Sequence, residues 1–273
     1  MSKMMWLYGL QICRLWSLLL YRNFLLHFYR KHVRFLHDDV RIKKYPYDCE
    51  IDEREDEFGK AMAKKNAKEK LMQELLAPEY RLKCEYAIHI IELKLEMLME
   101  QFYVECGRPV ISNITSRIKS VDSIERKLRK KKLSIDFATA EGKLNDLVGV
   151  RATCFFEDDI YKLVDCLCAQ EDVTVLRKKD YIKNPKENGY HSLHLTVEVP
   201  IYTREGCEKK RVEVQFRTVA MDFWAQLDYQ LCYKKDIGEE KSRQIQGKLS
   251  KYAEEIAGMD RQMMRLRKQI ENI

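Results

Sequence analysis

An aromatic ring, two histidines and two lysines crowd one turn between Asp180 and His194: Lys183, Lys186, Tyr190, His191 and His194. Ammonium groups suit phosphate, and a tyrosine ring suits a flat base. Pro185 and Asn188-Gly189 are turn formers, and Gly189 is free to take a positive φ. A hairpin with a solvated polar tip would look the same, so the chemistry elsewhere decides. A second basic cluster runs from Arg117 to Lys132, with eight basic and two acidic side chains. Asp122 and Glu125, three residues apart, predict a capping box and a helix that starts there. Ser123 then falls in the first turn, where free N–H groups and the helix dipole favour phosphate. Ser123, Lys127 and Lys130 share one face of that helix and form a candidate triphosphate cradle. Asp146 stands just before one strand pattern, and Glu213 lies within another. Mg²⁺ takes one or two carboxylates plus phosphate oxygens, so this pair suits a Mg²⁺–nucleotide complex.

Strands must position these groups. In Val148–Phe155, Val148, Val150, Ala152 and Cys154 share one face, with Arg151 and Thr153 on the other. Leu193–Val199 alternates His194, Thr196 and Glu198 with apolar residues, and Val212–Arg217 alternates Glu213, Gln215 and Arg217 with Val212, Val214 and Phe216. Period-two alternation is the mark of half-buried strands. In one sheet, the polar faces would gather Arg151, His194, Glu213 and Gln215 on one surface. A fourth strand, Val173–Leu176, leads into Arg177-Lys178-Lys179. Amphipathic helices are expected from near Asp158 to Cys168 and after Thr218, and a long packing helix from Glu79 to Cys106, ended by Gly107 and Pro109. Alternating strands and helices predict an α/β (α+β) layer fold.

The 273 residues carry a net charge of +7, and residues 1–45 account for all of it, with nine Lys/Arg against two Asp/Glu. The remainder is formally neutral, so phosphate binding there must come from local clusters. Nine cysteines without a CxxC pair fit a reducing, cytoplasmic setting. Residues 1–45 are apolar and aromatic with interspersed arginines. Their longest uncharged run, Met4 to Cys13, is too short for a spanning helix. Surface association through a basic amphipathic helix is one expectation. A non-native extension, with Met62 or Met72 as later starts, is the other. Residues 1–69 are read as this extension plus a charged linker, 70–235 as the main domain, and 236–273 as a C-terminal helix. That helix holds Ile245, Leu249, Tyr252, Ile256, Met259, Met263, Leu266 and Ile270 at alternating spacings of four and three, a heptad seam that predicts a homo-oligomer.

No GxxxxGK[ST] loop and no kinase HRD or DFG set is present. From about residue 71 to 235, however, the chain resembles the synthetase domain of the RelA/SpoT family, in its stand-alone small alarmone synthetase form. The carrying residues are Arg117-Ile118-Lys119-Ser120 with Ser123 and Lys127; Asp146-Leu147-Val148-Gly149-Val150-Arg151; Asp180-Tyr181-Ile182 with Asn184-Pro185-Lys186; Gly189-Tyr190-His191-Ser192-Leu193-His194; Val212 to Thr218; and Met221-Asp222-Phe223-Trp224-Ala225. The resemblance implies a mixed, roughly five-stranded sheet and transfer of the β,γ-pyrophosphate of ATP to the 3′-OH of GTP or GDP, releasing AMP. It implies that Arg117 and Arg151 stack on adenine, while Ser123, Lys127 and Lys119 take the ATP phosphates. Asp146 and Glu213 would bind Mg²⁺, and Glu213 would orient or deprotonate the acceptor hydroxyl. Tyr190 would stack on guanine; Lys186, His194 and Lys179 would hold acceptor phosphates; and Gln215 would position the acceptor. Small members form tetramers, in keeping with the heptad seam.

Three departures bear on the acceptor. His191 stands where the family often has Arg, Asp222 where close relatives often have Asn, and Asp228-Tyr229 replaces a common Glu-His pair. His37-Asp38 matches a hydrolase dipeptide by chance, since the other ligands of that domain are missing, and synthesis without hydrolysis is expected. Two rival readings remain. One is a toxin-like relative that pyrophosphorylates tRNA 3′ ends or adenine nucleotides; only this reading expects a nucleic-acid partner. The other is a non-catalytic nucleotide or RNA sensor.

Overall fold

The computed structural model describes residues 54–232 and 239–271. The expected membrane-surface segment, residues 1–45, and the His37-Asp38 pair lie outside them. Among the described residues no helix is long and apolar enough to cross a membrane.

Helix α1 (Arg54–Leu76) runs through the stretch read as a charged linker, so the boundary expected at residue 70 falls inside a helix. Its lysine-rich sequence favours helix locally. Leu71 and Leu75 anchor it by burial beside Ile124, Leu128 and Leu144. Helix α2 (Pro78–Cys106) begins with proline in its first turn, where the missing N–H costs nothing. It buries Cys84, Ala87, Ile88, Ile91, Leu95, Leu98 and Phe102. Gly107 ends it in the left-handed region at φ 68°, and its N–H donates to Tyr103 O at 2.9 Å. A Cβ at Gly107 would meet no atom within 4 Å, so only backbone strain opposes one. Gly107→Ala is expected to cost about 1–2 kcal/mol. The melting temperature should fall by roughly 2–8 °C, which calorimetry would check.

Five strands follow: β1 (Ile111–Ile118), β2 (Val148–Cys154), β3 (Thr174–Asp180), β4 (Leu193–Thr203) and β5 (Gly206–Thr218). They form one mixed sheet in the order β1-β2-β5-β4-β3, in which β2 and β5 are parallel and the other neighbours antiparallel. This is the mixed five-stranded sheet with flanking helices that the resemblance implied. The expected fourth strand extends further, taking in Arg177, Lys178 and Lys179. Helices α3 (Val121–Lys130) and α4 (Phe137–Lys143) lie between β1 and β2, and α5 (Glu157–Cys168) between β2 and β3. The apolar sides of β2, β4 and β5 are buried with α2 and α5 in one core. The opposite side of the sheet is left to polar residues.

Helix α6 (Val219–Cys232) leaves β5, and α7 (Glu239–Glu271) returns across it. Trp224 donates its indole N–H to Leu249 O at 3.0 Å, and Leu249 and Ala253 are buried against the indole. At the far end Arg267 pairs with Asp158 and Asp159. Arg108 forks both oxygens of the buried Asp159 at 2.8 Å. Both guanidiniums lie over Phe156, at 5.1 and 4.8 Å from its centroid. The heptad seam is thus divided. Leu249 packs on its own domain, while Met259, Met263, Leu266 and Ile270 are at least half exposed.

Candidate active site

Strand register assembles the polar face. One row across the sheet reads Arg117, Gly149, Glu213, Thr196. The next reads Thr115, Arg151, Gln215, His194, Lys179. Gly149 carries no side chain between Arg117 and Glu213, and the floor stays open. There a cavity of about 220 Å³ is lined by Arg117, Asp146, Gly149, Arg151, Glu213 and Gln215, among others. A second cavity of about 590 Å³ is lined by Arg151, Tyr190, Arg217 and the α6 segment Ala225–Gln230. Arg151 is the wall common to both.

Asp146 lies at the first cavity with one oxygen committed. Its Oδ2 accepts from Lys119 Nζ at 2.8 Å and Lys127 Nζ at 2.6 Å. Its Oδ1 is buried and has no hydrogen-bond partner. Burial would raise this carboxyl, but Lys119 and Lys127 outweigh burial and hold it below the ordinary carboxylate range. An orphaned, ionised oxygen beside a second carboxylate fits a divalent cation. Each ammonium has three donors, so both lysines keep hydrogens free for phosphate.

Glu213 is flanked on both sides. Gln215 Nε2 donates to its Oε2 at 2.7 Å, and His194 Nδ1 stands 3.6 Å from its Oε1. Burial again pushes its pKa up; His194 and Gln215 pull it below the ordinary value, against a contrary push from Asp146. His194 Nε2 is 2.9 Å from the Tyr190 hydroxyl. His194 therefore bridges the tyrosine and the carboxylate.

The loop that carries Tyr190 is built by its own polar residues. Asp180 accepts from the N–H groups of Ile182 and Lys183, each at 3.0 Å. Gly189 N donates to Lys186 O at 2.8 Å, closing the Asn188-Gly189 turn with φ 86° at Gly189. Lys186 Nζ lies 4.6 Å from the Tyr190 ring centroid and 4.7 Å from that of Tyr181. Lys179 lies 5.8 Å from the Tyr181 centroid. Neither lysine lines the two cavities described, though both stand over rings beside them.

The start of α3 departs from expectation. Ser120 is its N-cap residue, with φ −67° and ψ 148°, and Val121 is the first helical residue. Asp122 and Glu125 make no capping box, because Lys68 of α1 draws both carboxylates, at 2.8 and 3.0 Å. Ser123 nevertheless stays in the first turn, and its hydroxyl oxygen accepts a hydrogen bond from the Ser120 hydroxyl at 2.9 Å. The structure also brings in a residue not singled out as functional, Arg217. The signal was available: Arg217 follows Glu213 and Gln215 at the same two-residue period.

Residues 116–238 match the family described as the region found in RelA/SpoT proteins. The GTP pyrophosphokinase YwaC of Bacillus subtilis (strain 168) is 34% identical over 186 residues, 68% of this chain and 88% of that protein. The GTP pyrophosphokinase YjbM of the same organism is 32% identical over 185 residues, 68% of this chain and 85% of that one. The crystal structure of small alarmone synthetase 1 from Bacillus subtilis, bound to its product pppGpp, is similar with a TM-score of 0.63 at 31% identity. The match covers 71% of this chain and 97% of that one. With this identity and coverage, the chain belongs to the RelA/SpoT family and sides with its small alarmone synthetases.

Proposed function

We propose that this protein transfers the β,γ-pyrophosphate of ATP to the 3′-hydroxyl of GTP or GDP. The observation that carries this reading is the paired cavity. Asp146 and Glu213 line one chamber, and its wall residue Arg151 also lines a second chamber that presents Tyr190. Two nucleotides side by side need that arrangement. The relatives named GTP pyrophosphokinase support the choice of substrates.

In the reaction the 3′-oxygen attacks the β-phosphorus of ATP. The bond from that phosphorus to the α,β-bridging oxygen breaks, and AMP leaves with the oxygen. The hydroxyl proton goes to the Glu213 carboxylate. Lys119 and Lys127, together with Ser123 at the start of α3, neutralise the donor phosphates, and Arg117 and Arg151 hold the adenine. Tyr190 stacks on guanine, while Lys186, Lys179 and His194 hold acceptor phosphates and Gln215 positions the acceptor. Positioning and charge neutralisation supply most of the catalysis in phosphoryl transfer. Mg²⁺, held by Asp146 and Glu213, would polarise the β-phosphoryl group.

The test is an incubation of full-length protein with γ-labelled ATP, Mg²⁺ and, separately, GTP, GDP, ATP and bulk tRNA. Labelled guanosine tetra- or pentaphosphate together with AMP is expected. Label entering tRNA or adenine nucleotides, or no transfer at all, would overturn the reading. Use of ATP and GTP as substrates supports a cytoplasmic setting. Self-association, in the family's manner a tetramer, would use the open half of the α7 seam. Met263→Glu combined with Ile270→Glu is therefore expected to lower the sedimentation coefficient towards that of a monomer.

A further inference from the structure

Arg217 stands at the end of β5 with 6% of its surface exposed. Its Nη2 donates to the Tyr190 hydroxyl at 2.6 Å and to Gln215 Oε1 at 3.4 Å. Its Nη1 donates to Asp222 Oδ1 at 3.1 Å. That same oxygen accepts from Arg151 Nη1 at 3.3 Å, and Gln226 Nε2 donates to the other oxygen at 2.7 Å. One carboxylate in the first turn of α6 is therefore shared by two guanidiniums. One belongs to Arg151, the residue common to both cavities; the other, that of Arg217, reaches the Tyr190 hydroxyl in the second cavity.

We propose that Arg217 is a positioning residue that links the two nucleotide subsites, holding Tyr190 directly and Arg151 through Asp222. The inference rests on the functional reading above. Its sign follows from the geometry. The arm from Asp222 to Arg151 is the longer of the two, so it is the one that a base stacking on Arg151 draws away. Asp222 then belongs to Arg217 alone, whose fork is held harder and fixes the Tyr190 ring. Hydrogen bonds between charged groups inside a protein are strong enough to matter here. Donor binding should therefore tighten acceptor binding.

The experiment is calorimetric titration of the full-length protein with GTP, with and without α,β-methylene ATP, whose scissile linkage cannot break. In the wild type, the donor analogue should tighten GTP binding by about fivefold or more, the usual scale of coupling between sites. In Arg217→Met and in Tyr190→Phe, the ratio should fall to near one. Tyr190→Phe keeps the ring and loses the hydroxyl, which Arg217 and His194 share, so His194→Ala is titrated beside it and should keep the coupling. This pair decides the matter even if Arg217→Met does not fold. A merely structural Arg217 would leave that ratio untouched. Coupling that survives in Tyr190→Phe, or wild-type protein that makes the guanosine product yet binds the two nucleotides independently, overturns the role of Arg217. Wild-type protein that makes no guanosine product overturns the functional reading itself, and this inference with it.

Discussion

Glu213→Gln is expected to lower kcat for pyrophosphate transfer by about 10²–10⁴, the contribution of a positioned general base, with the melting temperature nearly unchanged. The substitution keeps the shape of the side chain. One carboxylate oxygen becomes an amide nitrogen, which cannot take the 3′-hydroxyl proton, and the 2.7 Å bond from Gln215 Nε2 then needs the one oxygen that remains. His194, at 3.6 Å, also loses its partner charge. The fold does not depend on this carboxylate, because Val212, Val214 and Phe216 on the other face of β5 are fully buried. The pH dependence follows from the direction of the shifts. Glu213 and Asp146 are both held below their ordinary values in the folded protein. A depressed carboxyl stays ionised until the pH falls through its folded value, so any loss of transfer through these groups belongs below about pH 4. Replacing His194 by Ala removes a partner that holds Glu213 down and should move that acid limb upward. A pH series of kcat/KM on wild type and His194→Ala checks it; an unmoved limb would remove His194 from the account.

Much of this site could be read from the sequence, because β2, β4 and β5 are half-buried strands. Burial on one face writes period-two alternation into their residues, and the polar remainder is the site. Strand β1 is different. It is an edge strand in which only Ile111 is buried. Ile114 and Ile118 are only partly buried against the core, and Asn113, Thr115 and Ser116 are exposed, so the alternation is too weak to mark the strand. The start of α3 was misplaced for a related reason. A capping box is a local pattern, but Lys68, more than fifty residues away, took both of its carboxylates. Helix α4 is only seven residues long and offers too few turns for a helical period. The period along β5 did point to Arg217, but its partners Asp222 on α6 and Tyr190 in the loop before β4 are distant in sequence, so its linking position could not be read there. The heptad seam was real as a pattern. Periodicity could not say that Ile245, Leu249 and Ile256 would be spent on the Trp224 cluster while Tyr252 and the positions from Met259 onward stay open.

Gly189→Val should raise the KM for GTP by about tenfold or more while leaving the KM for ATP nearly unchanged. Two independent costs meet at this position. Its φ of 86° belongs to the left-handed side of the map, where a β-branched residue is strained by about 1–3 kcal/mol. A Cβ there would also stand 2.5 Å from the Ala253 Cβ and 3.0 Å from the Ser250 Cα of α7. Overpacking of that kind costs about 1–3 kcal/mol more. The loop can escape both only by lifting from α7. Lifting moves Tyr190, the next residue, and breaks the bond from Tyr190 N to Asn188 Oδ1 at 3.3 Å. The donor groups Lys119, Lys127, Asp146 and Arg117 sit on other elements, so ATP should be spared. Gly189→Ala separates the two costs. Paired with Ala253→Gly, it loses the side-chain clash but keeps the strained φ and the close approach to Ser250, so rescue should be partial. Full rescue would mean that the clash alone matters, and no rescue that the backbone does. Equal rises in both KM values would show instead that α7 supports the whole site rather than the acceptor loop.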